Sequence, residues 1–182
     1  MNKKFGVGFF LNIAFYSLLA IVLAVLQTTL LPRFQIYEAF PDLMIGAVCC
    51  IGIYRGENTA ALFGLLAGLI VESTGNAKGL SLLPLFYTLA GYISGRIGFS
   101  AKENARFPAY LVSVPFFCLA RTALTVLYHV VRYFKSVDVL QLLLYTALPE
   151  FFYTLCLCVP VFFFVKLFDI PLNFIRKRGG LD

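Results

Sequence analysis

Long apolar runs separated by short polar breaks set the pattern of this chain. The runs are Phe9–Leu31, Pro41–Tyr54, Asn58–Val71, Leu80–Phe99, Phe107–Val131 and Leu142–Phe168. A hydrocarbon core of about 30 Å needs roughly 20 apolar residues of helix, and several runs reach that length. The pattern predicts an all-α integral membrane protein, with about six transmembrane helices in one bundle and one polytopic domain over residues 1–182. The second and third runs, at 14 residues each, would extend only about 21 Å as helix. They either cross a thinned bilayer or form a hairpin that enters and returns from the outer side. Leu31-Pro32 ends the first helix, because proline lacks the donor a helix needs. Pro41-Asp42 opens the second, where proline suits the first turn and Asp the positive end. Arg55-Gly56-Glu57 reads as a tight inner turn.

Charge then gives an orientation. With the N-terminus in the cytoplasm, ten of the 15 Lys and Arg residues fall inside: Lys3, Lys4, Arg55, Arg96, Lys102, Arg106, Lys166, Arg176, Lys177 and Arg178. Four fall outside, Arg33, Lys78, Arg132 and Lys135, and Arg121 lies within a run. The bias is the one the positive-inside rule expects, with both termini cytoplasmic. Lys3 and Lys4 ahead of an apolar run resemble a signal peptide, but the run is too long and no small-residue cleavage site ends it. The first run is therefore read as an uncleaved helix.

Composition removes several function classes. The net charge of +6 does not point to nucleic acid, because the basic residues flank apolar runs where anionic headgroups are the nearer partner. The five cysteines, Cys49, Cys50, Cys118, Cys156 and Cys158, all lie in apolar runs without disulfide or metal spacing. Cys156 and Cys158 fall on opposite sides of a helix, and the set reads as small packing residues. His129 is the single histidine and has no second metal ligand beside it. No phosphate loop, dinucleotide fingerprint or nucleophile motif is present. The expectation is a non-enzyme without cofactor.

Two constellations remain. Ala60, Gly64 and Gly68 recur every four residues and lead to Glu72, while Gly91 with Gly95 and Gly52 with Gly56 repeat the spacing. Such stripes let helix backbones approach closely in lipid, either within the chain or against a foreign helix. The partner-helix reading uses Ala60, Gly64, Gly68, Glu72, Gly91 and Gly95. The second constellation is Asp42, Glu72, Arg121 and Glu150, ionisable residues within or at the edge of apolar runs. Charges there are costly unless paired or hydrated, which makes them functional candidates. Their positions along the runs bring all four to the outer half of the bundle. The arrangement serves as a structural ion pair (Arg121 with Glu150 first, Glu72 second), a ligand cavity, or a polar patch for a partner.

The order of short motifs resembles one family. Leu26-Gln27-Thr28-Thr29-Leu30-Leu31-Pro32, Pro41-Asp42-Leu43, Arg55-Gly56, Gly64-Leu65-Leu66-Ala67-Gly68-Leu69, Lys78-Gly79-Leu80, Gly91-Tyr92-Ile93-Ser94-Gly95-Arg96 and Leu148-Pro149 ahead of a helix with Pro160 are similar to the rod shape-determining protein MreD family. The resemblance covers most of the chain. The family's third span usually ends in Asp, where this chain has Glu72. The resemblance implies a non-enzymatic scaffold of the bacterial elongation machinery in the cytoplasmic membrane. It implies binding to the bitopic protein MreC, which helps couple MreB filaments to a SEDS glycosyltransferase and a class B penicillin-binding protein, reached directly or through MreC. It also implies a fold like the substrate-binding subunits of energy-coupling-factor vitamin transporters. That supplies the alternative function, a vitamin-binding subunit with an outward cavity.

Overall fold

The computed structural model describes the backbone over residues 7–29, 41–73, 82–132 and 148–178, and side chains from residue 14 to 167 within these stretches except at position 129. Among the described residues six helices follow one another: α1 (Val7–Thr29), α2 (Leu43–Arg55), α3 (Glu57–Ser73), α4 (Leu83–Ser100), α5 (Arg106–Arg132) and α6 (Leu148–Arg178). A 3-10 turn, Glu103–Ala105, leads into α5. No strand occurs among the described residues. The bounds agree with the apolar runs except in the last helix, whose predicted start at Leu142 lies outside the described residues. There α6 continues ten residues past Phe168, through Pro171, to Arg178. Hydropathy falls after Phe168, so the run ends there while the backbone remains helical.

Every residue of α2 from Leu43 to Ile53 is buried. A helix apolar on all sides is suited to the interior of a bundle, and α2 packs against each of the other described helices. This gives its 13 residues a physical account. A helix enclosed by protein does not have to match the thickness of a bilayer. The outer helices carry their exposed apolar residues at helical spacing: Leu18, Ile21 and Val25 on α1, Leu62, Leu65 and Leu69 on α3, Leu85 and Leu89 on α4. Val112, Phe116 and Leu119 on α5 and Val159, Phe163 and Leu167 on α6 continue this belt. In water such a surface would be a large association liability. Two helices, over Glu103–Tyr128 and Leu148–Leu167, are long and apolar enough to cross a membrane.

The glycine stripes close the α3–α4 hairpin. A methyl group on Gly64 would collide with the backbone of Tyr87, and one on Gly68 with Pro84. Reciprocally, Gly91 faces the Ala60 carbonyl and Gly95 faces the Glu57 backbone. The pairs 57 with 95, 60 with 91, 64 with 87 and 68 with 84 form one antiparallel seam. On its other side α4 meets α2, where Gly98 lies on Ile53 and Gly52 on Ser94. The stripe read as a seat for a foreign helix is thus filled by the chain itself. Ala60, Gly64, Gly68, Gly91 and Gly95 are all buried, and no second helix fits where α4 lies.

Gly56 answers a different need. Nothing lies within 4 Å of where its side chain would be, but its φ of 93° is a conformation that suits glycine. Its N–H donates to the Gly52 carbonyl at 3.0 Å, and its carbonyl accepts from Ala60 at 3.2 Å, so one residue reverses the chain between α2 and α3.

Gly68→Leu is expected to lower the yield of folded protein and its thermal midpoint in detergent, since overpacking costs about 1–3 kcal/mol and the obstacle here is backbone. Gly56→Ala should cost about 1 kcal/mol through backbone strain alone. A Gly68→Leu protein that melts like the wild type would remove the seam from this account.

Candidate functional site

The ion network starts at Asp42, one residue before α2. Its backbone is extended (φ −98°, ψ 94°), the usual conformation of a helix cap. Its Oδ1 accepts the N–H groups of Met44 at 2.9 Å and Ile45 at 3.2 Å. Proline at position 41 therefore precedes the cap, and Leu43 is the first helical residue. The other carboxylate oxygen, Oδ2, accepts from the Tyr87 hydroxyl of α4 and from the Arg121 guanidinium of α5. The Asp42 N–H donates to Thr154 Oγ1 of α6 at 3.0 Å, and Thr154 donates in turn to the Glu150 carbonyl at 2.8 Å. One residue thus ties four helices together.

Arg121 is also shared. Its Nη1 lies 3.0 Å from Glu150 Oε1 as well as against Asp42. The Asp42 side chain is 1% exposed, with Arg121 at 12% and Glu150 at 16%. Two carboxylates against one guanidinium leave a formal surplus of one negative charge. The fold offsets it: Asp42 caps α2 and Glu150 sits in the first turn of α6, where a helix carries roughly half a positive charge. The remaining space, lined by Asp42, Ile45, Cys118, Arg121, Glu150 and Thr154 among others, is about 10 Å³, room for about one water.

Of the four ionisable residues singled out from sequence, the structure joins Asp42, Arg121 and Glu150. Glu72 is excluded. It sits in the last turn of α3, half-buried, and makes no ion pair among the described residues. The order of partners also changes. Arg121 engages Glu150 as expected, but Asp42 takes the place given to Glu72. Tyr87 and Thr154 were missed. Thr154 stands four residues after Glu150, the spacing that puts two side chains on one helix face, so that pattern was available. Tyr87 carried only the general signal that a buried phenol seeks an acceptor, and the chain has ten tyrosines.

Other candidate groups behave as packing residues. Cys49, Cys50, Cys118 and Cys158 are buried free thiols, and Cys156 is exposed, in keeping with opposite sides of α6. The Tyr110 hydroxyl donates to the Cys158 carbonyl at 2.6 Å and locks α5 to α6. The side chain of His129 lies outside the described residues.

Against known proteins, the chain matches no family model, no curated protein and no solved structure.

Removing one member of a buried ion pair typically costs about 3–5 kcal/mol. Arg121→Glu, which places three carboxylates together, is expected to be poorly folded, and adding Glu150→Arg should restore it in part. A harmless single reversal in a detergent melting assay would contradict the network. Tyr87→Phe removes one donor to a carboxylate and should cost about 1.5–3 kcal/mol; an unchanged melting midpoint would show that the hydroxyl is dispensable.

Proposed function

We propose that this chain is a non-enzymatic membrane scaffold of the bacterial elongation machinery, of the MreD type. In this reading six helices span the cytoplasmic membrane, with both termini in the cytoplasm. The chain binds a bitopic MreC-like partner, and with it couples MreB filaments to the SEDS glycosyltransferase and the class B penicillin-binding protein. The apolar belt and the bias of basic residues support the membrane setting, and the ordered motifs support the family.

The observation that carries the choice of scaffold over vitamin carrier is the state of the polar network. Arg121 is engaged by two carboxylates, and Asp42 by four donors to its two oxygens. The space left is about 10 Å³, whereas small-molecule pockets run to about 300–1,000 Å³. The network spends its polar groups on holding helices together. With the glycine seam occupied, a partner helix has to use the outward apolar rows, where association in lipid relies on close packing and polar contacts.

Purification of the tagged chain from native membranes tests this reading. A co-eluting single-span protein and rounding of rod-shaped cells on depletion are expected. A tightly bound vitamin, or normal shape and wall growth without the chain, would overturn it. For the topology, cysteines introduced after Gly180 should resist labelling from outside intact cells, and cysteines introduced at positions 137–139 should react.

A further inference from the structure

At the opposite end of the bundle from Asp42, two cations converge on one aromatic ring. Tyr54 lies in the last turn of α2. The Arg106 guanidinium, from the first residue of α5, sits 6.0 Å from the centre of the Tyr54 ring. The Lys166 Nζ, from α6, sits 5.3 Å from the same centre and 5.2 Å from that of Phe162. Phe162 packs on Tyr54 at 5.7 Å and on Phe107 at 4.9 Å, which holds the Tyr54 ring among α2, α5 and α6. Neither cation has an ion-pair partner among the described residues. Glu57, which opens α3, is taken by Arg96 at 3.7 Å. Arg106 Nε is buried without an acceptor among the described residues, while the side chain as a whole is half-buried.

This is an uncommon use of charge. Two like charges share a ring whose attraction is worth about 0.5–1 kcal/mol at an exposed site, and that neutralises neither. An anion bridging them would. Beside Lys166 the side chains of Phe163 and Leu167 are 62% and 66% exposed, and Val159 continues this apolar row back along α6, away from the charges. A phosphodiester with acyl chains satisfies both features at once. We propose that Arg106 and Lys166, carried on Tyr54, bind the phosphate of an anionic phospholipid headgroup, its chains lying along Phe163 and Leu167. The inference rests on the membrane setting proposed above and not on the scaffold role.

The test uses the full chain reconstituted in phosphatidylcholine vesicles with and without phosphatidylglycerol, followed by native mass spectrometry of lipid retained in detergent. Retention of phosphatidylglycerol over phosphatidylcholine is expected. Each basic side chain near an anionic surface contributes about fivefold, so the Arg106→Gln/Lys166→Gln double variant should retain it about thirtyfold less well. Arg106→Lys with Lys166→Arg should keep the preference, which provides a readout if the neutral variant folds poorly. Lys102→Gln, an exposed cation off the ring, should cost no more than the about fivefold of one diffuse surface charge. Equal retention of both lipids, an equal loss with Lys102→Gln, or displacement of the lipid by inorganic phosphate would each overturn the site. A chain that does not float with the vesicles would instead refute the membrane setting.

Discussion

Arg121 reaches from the middle of α5 to the carboxylate that caps α2, and the position of the central helix depends on that contact. A guanidinium and two carboxylates are costly to bury, and the attraction between them offsets the cost only with good geometry and further hydrogen bonds. The chain supplies these from four directions. Met44 and Ile45 donate to one Asp42 oxygen, Tyr87 and Arg121 to the other, and Thr154 receives the Asp42 N–H. A shift of α2 by one turn would carry its own cap along but would break the contacts to Tyr87, Arg121 and Thr154 together. Leu43–Ile53 carries only apolar and thiol side chains, so the cap both starts the helix and sets its depth.

Around that fixed point the remaining contacts are matters of shape. The α3–α4 seam brings backbones together at glycines and leaves no space for larger side chains. Apolar rows are left over on the outward faces of α1, α3, α4, α5 and α6. The division matches the proposed role. Polar groups and small residues are consumed in holding the described helices together, and under the proposed role the outer surface is what lipid and a partner would meet.

Much of this was legible in the sequence, for definite reasons. Apolar runs bounded by Pro32, Pro41 and Gly56 predict the first helices, because each punctuating residue has one local backbone consequence. Arg121 and Glu150 predict each other, since an isolated charge in an apolar helix calls for a partner. What periodicity does not encode is which neighbour a face meets. Gly64 and Gly68 show the same spacing whether they seat α4 or a foreign helix, so the seam's occupant could not be read. Asp42 was recognised at a helix start, but its second oxygen's partners come from positions 45 and 79 residues away in sequence. Glu72 drew attention by ending the stripe, and its place on α3 leaves it outside the network. The helix beyond Phe168 was missed because Asp169, Pro171 and Asn173 mark the end of an apolar run, which is a different boundary from the end of a helix.

A double-mutant cycle between Asp42→Asn and Arg121→Met, read by unfolding in detergent, isolates the central contact. Asparagine keeps the cap and removes the charge, so the cycle reports the ion pair and not the helix start. Residues in one network couple by about 0.5–3 kcal/mol, and a value in the upper half of that range is predicted here. Additivity of the two changes within about 0.3–0.5 kcal/mol would contradict a bundle organised around Asp42 and Arg121.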